Sequence, residues 1–415
     1  MPPAAQAVSA EKLASCLARI PILTKDEKVM GYRVLFRESS DPSTPTSDPA
    51  VGGIVDTLKT LGLDVVSDHH LAFIPCTDQM LLQDALFDLP SAKAVADIQP
   101  GITISAPVME ACERLKKGGY KIALDNFRKG DGREPLVPFA DFLKVDLGHQ
   151  GVADYAKLAA AHAGKRKMVA QNVETRAEYK NAEKAGFTVF QGYFFRHPEK
   201  MRVRQIPAGQ TSKLRLLQAV SAPEIDLALV EELIRHDASL CYRLMRYLNS
   251  PVLGLTARVQ SVRHAITLLG VQALTRWIRT ATALSMGQPK CSDLMLASLL
   301  RARFCELIGT KVDHGNADLF LLGMFSLMDV ILETPIAILL EGLAFDSSAK
   351  AALLAMQNGG GARLSPLCDL MVAREKGDWE RVTTDAASLG LSLQFVNQAY
   401  IEAMDWAYQM TKAAN

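Results

Sequence analysis

With 415 residues, 49% of them apolar and 22% charged, the chain has the composition of an ordinary globular protein, which excludes disorder and fibre. Its length suits two domains, or three. Forty-six basic residues against 45 acidic ones leave a net charge of +1, so a protein that coats nucleic acid or an anionic membrane is not expected.

In chain order, the N-terminus lacks the long apolar core of a secretory signal. Eight short β-like runs then follow at 21–23, 31–36, 71–74, 94–98, 121–125, 142–146, 167–171 and 188–191. Helix-like segments lie between them. The clearest covers 108–119, where Val108, Cys112 and Leu115 share a face and two glycines stop the helix. Strand–helix alternation predicts a mainly parallel sheet with helices outside. Eight strands predict a barrel, but roughly 190 residues is short against the ~250 usual for such barrels. The helical layer should therefore be trimmed or the barrel distorted.

The texture changes near residue 200. A polar stretch holding Pro, Gly and Ser reads as a linker, set at 201–212. Everything after it reads helical, for example 227–237 behind Asp226 as N-cap, and 262–284 with a break at Gly270. The fold class is therefore α/β plus all-α. The apolar stretch 319–345 is interrupted by Asp329, Glu333, Pro335 and Glu341, so buried helices are expected there and not a membrane span. Gly359–Gly361 reads as a loop that lacks the Lys-Ser/Thr of a phosphate cradle. The cysteines at 16, 76, 112, 241, 291, 305 and 368 have no zinc spacing. They read as reduced thiols in a cytoplasmic protein.

Ordered pieces of the first half resemble the EAL family of cyclic-di-GMP phosphodiesterases. They are GYRVLFR (31–37), LDNF (124–127), LKVD (143–146), AQNVET (170–175) and QGYFF (191–195). The second half, through 248–270, LLGMFSLMD (321–329) and REKGDW (374–379), resembles the HDOD domain, a helical relative of the HD phosphohydrolases. The resemblance implies a TIM-like EAL barrel over 14–200 and an HDOD domain over 213–415.

It also implies a pocket at Arg33, Pro75, Asp97, Asp125, Asn126, Lys144, Asp146, Gln171, Glu174 and Gln191. EAL enzymes hold two Mg²⁺ or Mn²⁺ ions on such residues, as hard cations on oxygen ligands. Here Arg33 replaces the Glu of the family signature. Pro75 stands for an Asn, Asp97 for a Glu, Asn126 for an Asp and Gln171 for a Glu. Proline has no side-chain acceptor, and Asn126 and Gln171 carry no charge. Arg33 sets a permanent cation where a metal would approach, and two unit charges about 4 Å apart interact by ~4 kcal/mol at an effective dielectric of ~20.

The expectation is therefore a pseudoenzyme without metal or cofactor, an adaptor working through unidentified signalling proteins. A non-hydrolysing cyclic-di-GMP receptor and an active phosphodiesterase are the alternatives. Arg33 is expected to pair with Asp97, Asp125 or Glu174, since a buried guanidinium needs partners.

His236–Asp237 resembles a metal-binding HD pair by composition only, and Ser326–Leu327 stand where that pair would fall. Arg243 with Arg246, and Arg276 with Arg279, read as solvated helix faces paired with acids such as Glu231 and Glu232. His264 reads as a satisfied histidine, and Trp277 as a packing anchor.

Overall fold

A computed structural model describes residues 15–38, 51–148, 152–162, 164–196, 208–220, 222, 224–235, 270–279, 281–282, 292–315, 317–332, 334–341, 346–358 and 362–414. The expected sites at His236–Asp237, Arg243, Arg246 and His264 and the loop Gly359–Gly361 lie outside the described residues.

Eight strands close a barrel in chain order. They are β1 (Ser15–Thr24), β2 (Val29–Glu38), β3 (Leu71–Cys76), β4 (Ala94–Ile98), β5 (Lys121–Leu124), β6 (Phe142–Asp146), β7 (Lys167–Gln171) and β8 (Val189–Gln191). All neighbours are parallel except β1, which runs antiparallel to both β2 and β8. This reversal is the distortion. The helical layer is trimmed too. Between β3 and β4 the α-helix shrinks to Asp78–Leu82, and between β5 and β6 only a 3₁₀ turn, Glu134–Phe139, remains.

The helix Ala106–Lys117 buries Val108, Ala111, Cys112 and Leu115 on one stripe, as its 3.6-residue period predicts. Thr175 and Glu178 form a capping box that starts the helix Arg176–Lys184 just past β7. β2 meets β3 at Gly31, where a Cβ would fall 2.5 Å from the Leu71 carbonyl oxygen. That close approach brings Arg33 into register with Phe73.

By contact grouping the chain forms two compact units. One holds Met1–Glu199, Lys290–Asp293 and Asp369–Met404; the other holds Lys200–Pro289, Leu294–Cys368 and Asp405–Asn415. The barrel unit thus includes helical residues that the sequence reading places in the 213–415 domain. A helix, Ala208–Ala219, also begins inside the expected linker.

In the second unit all described regular structure is helical, including Leu227–Arg235, Leu319–Phe325 and Ser347–Asn358. Trp277 is buried there. Arg276 pairs with Glu306 and Arg279 with Asp318, so both arginines face acids as expected. Cys76, Cys112, Cys305 and Cys368 are buried thiols outside any disulfide. No helix among the described residues is long and apolar enough to cross a membrane.

Candidate functional site at the carboxyl end of the barrel

Side chains alternate along a strand, so every second residue points into the barrel. One inward layer is apolar and buried: Ile22, Phe73, Val95, Ala123, Phe142, Val169 and Val189. One step further the inward residues are Pro75, Asp97, Lys144, Gln171 and Gln191, with Asp125 just past β5, and Arg33 on β2, in register with Phe73, reaches this layer with its guanidinium. Strand geometry therefore gathers most of the sequence-predicted positions into a second, polar layer at the carboxyl ends of the parallel strands.

Lys144 is fully buried at the centre of this layer. Its Nζ lies 2.5 Å from Asp97 Oδ2 and 2.8 Å from Asp125 Oδ1. Arg33 Nη2 donates to Asp125 Oδ2 at 2.8 Å, and its Nε lies 3.8 Å from Asp97 Oδ2. The expected pairing of Arg33 is present with two of the three acids named for it. Gln171 Nε2 donates to Asp125 Oδ1 at 2.7 Å, while its Oε1 accepts the Asn126 backbone N–H at 3.0 Å. Asn126 stands at φ 45°, a left-handed conformation that asparagine tolerates better than most residues.

The two aspartates differ in partners and so in proton affinity. Burial raises both. At Asp125 the Lys144 and Arg33 cations and the hydrogen bonds from Lys144 and Gln171 win, and hold the carboxyl at about 2. At Asp97, fully buried, burial outweighs Lys144 and the nearby Asp125 charge adds to it, so the carboxyl is pushed up to about 6. Asp97 Oδ1 has no hydrogen-bond partner, which fits the weaker support of its charge.

The remaining expected positions have other surroundings. Asp146, at the end of β6, accepts from Asn172 Nδ2 at 2.9 Å and from the Gly148 N–H at 2.8 Å. Gln191 is fully buried, and neither end of its amide has a hydrogen-bond partner. Glu174 lies beyond the end of β7, half-exposed, and meets Lys376 instead of Arg33. Lys376 was not expected from the sequence; its place within the REKGDW run was the available signal.

The resemblance implies two divalent ions here. The side chains as placed do not fit them: both aspartates already face Lys144, and the Arg33 guanidinium takes Asp125 Oδ2. No group of three or more His, Cys, Asp or Glu that could hold a metal occurs among the described residues. The arrangement offers instead two cations and one firmly ionised carboxylate at a barrel mouth, a set able to meet a phosphate.

Residues 206–332 match the HDOD domain family. The chain is 31% identical over 406 residues to "Cyclic di-GMP phosphodiesterase CdgJ" of Vibrio cholerae serotype O1, covering 95% of this chain and 93% of that protein. It is 29% identical over 411 residues to the uncharacterized protein YuxH of Bacillus subtilis, covering 96% and 99%. Among solved structures, an EAL domain protein from Listeria monocytogenes EGD-e is 17% identical, with 46% of this chain and 94% of that one covered at a TM-score of 0.35.

Proposed function

The chain belongs to the EAL–HDOD family and is linked through it to cyclic-di-GMP signalling, and from that premise we propose that its barrel acts on cyclic di-GMP as a phosphodiesterase. The observation that carries this reading is the 31% identity, across 95% of the chain, with a relative named a cyclic di-GMP phosphodiesterase. The same finding corrects the sequence expectation of a protein without enzyme activity. That expectation judged each substituted position singly against a motif. A relative matched over nearly its whole length is named for the activity. An adaptor role that excludes turnover is set aside with it.

In this reading the polar layer supplies charge. Arg33, with five N–H donors in a planar fork and a partly exposed side chain, is placed to receive a phosphodiester oxygen. Lys144 holds Asp97 and Asp125 together beneath it, and Gln171 fixes the orientation of Asp125.

The test is incubation of the full chain with cyclic di-GMP in Mg²⁺, in Mn²⁺ and in EDTA, with chromatography of the products. Linear dinucleotide that disappears in Asp125→Asn is the expected result. Intact dinucleotide under all three conditions would overturn it.

A second reading is binding of cyclic di-GMP as a signal. It is favoured by the pairing of Arg33 and Lys144 with both carboxylates, which leaves the layer without net charge when all four groups are ionised. Calorimetric binding of a dinucleotide recovered unchanged would select it.

A further inference from the structure

The turn between the helices Ser365–Lys376 and Trp379–Ser388 carries the REKGDW run, and buried contacts fix it to the barrel. Arg374 is fully buried. Its Nη1 donates to the Leu17 carbonyl at 2.7 Å, and its guanidinium lies 4.1 Å from the Tyr400 ring centre and 4.9 Å from that of Trp379. Glu375 Oε2 lies 2.5 Å from Arg196 Nη1, and the Glu375 carbonyl accepts from the Tyr193 hydroxyl at 2.9 Å. Gly377 has φ +69°, and a Cβ there would fall 2.9 Å from Leu35 Cδ1 and 3.5 Å from Ala18 Cβ.

These anchors share one end of the barrel. Leu35 lies two residues beyond Arg33 on the same face of β2, with Ala18 as its cross-strand partner. Tyr193 and Arg196 follow β8, and Glu174 follows β7. The turn therefore lies across the carboxyl end, where Arg33 also stands. Between its anchors Lys376 is half-exposed. Its Nζ is 3.5 Å from Glu174 Oε2 and 5.9 Å from the Tyr193 ring centre.

We propose that Lys376 is a ligand-binding residue of the barrel site: its ammonium, held at the carboxyl end beside Glu174 and Tyr193 by the buried Arg374 and Glu375 that precede it at the end of the helix, receives a phosphodiester of a cyclic dinucleotide. Glu174 holds the ammonium in the free protein. Exchange of one half-exposed anion for another costs little, because such exposed pairs are weak. The rigid turn fixes the backbone that carries Lys376, so less freedom is lost on binding. This inference rests on the reading of the barrel as a cyclic-di-GMP site.

The experiment is calorimetric titration of the full chain with cyclic di-GMP at two salt concentrations, with melting temperatures measured in parallel. Lys376→Gln is expected to weaken binding about fivefold and to lower its salt dependence, while Lys376→Arg stays within about twofold of the wild type. Glu174→Gln, which frees the ammonium, should tighten binding. Unchanged affinity in Lys376→Gln beside a wild type that binds would overturn the role of Lys376 and leave the barrel reading standing. A large fall in melting temperature in that variant would make the residue structural and also overturn it. A wild type that does not bind cyclic di-GMP would remove the barrel reading, and this inference with it.

Discussion

Two layers inside the barrel lie one strand step apart and are held by different physics. The lower layer, with Phe73 and Phe142 in edge-to-face contact, is buried hydrocarbon whose stability does not depend on protonation. The upper layer holds Asp97, Asp125, Lys144 and Arg33, and its stability depends on which of these groups are charged. The same backbone thus carries a packing core and an electrostatic site, and a two-residue shift along β6, from Phe142 to Lys144, exchanges one for the other. A chain can therefore keep its barrel while the upper layer changes.

The largest expected effects test that contrast directly. Phe142→Ala and Lys144→Met should each cost about 3–5 kcal/mol, the first by leaving a cavity and the second by stranding two buried carboxylates. The cost of Phe142→Ala should be the same at pH 5 and pH 8. The cost of Lys144→Met should be smaller at pH 5, where Asp97, whose carboxyl titrates near 6 in the intact layer, takes up a proton. Urea unfolding at the two pH values measures both. An equal pH response in the two variants would erase the distinction between the layers.

Arg33→Ala should cost less, about 1.5–3 kcal/mol, the range for a hydrogen bond to a charged group. Lys144 still contacts both aspartates in that variant, and the Arg33 side chain is 18% exposed. A loss as large as that of Lys144→Met would make Arg33 the principal counter-ion.

The smallest effect is the pH slope of the unaltered protein. Asp97 has a folded pKa raised above its unfolded value, so between pH ~4 and ~6 the folded state binds more protons and stability falls as pH rises. Asp125, with a depressed folded pKa, contributes stability that is present above pH ~4 and lost as pH falls toward ~2. Asp97→Asn should flatten the slope between pH 4 and 6 and leave the acid limb in place. A slope identical in the two proteins would place the titrating group elsewhere.

The barrel strands were legible because period-2 alternation and turn residues act locally. The runs at 94–98, 142–146 and 167–171 coincide with β4, β6 and β7. The reversal of β1 was not legible, since strand direction depends on which edges close the barrel. In the site, the family resemblance named the positions. It could not choose partners: Arg33 and Asp125 are 92 residues apart in the chain. Glu174 fell outside the layer because it lies three residues beyond the end of β7 at Gln171, whereas Asp125 directly follows β5.

The sequence by itself determined the α/β-then-helical order, and its resemblance to a family marked the replacement of an acid by Arg33. Tertiary structure alone decided that Lys144 bridges both aspartates, that Asp97 and Asp125 differ in proton affinity, and that Asp369–Met404 group with the barrel. The reason is range. Backbone propensity and side-chain period act over a few residues and are written in the local sequence. Desolvation, ion pairing and the choice of packing surface arise only when residues far apart in the chain are brought within a few ångströms of one another.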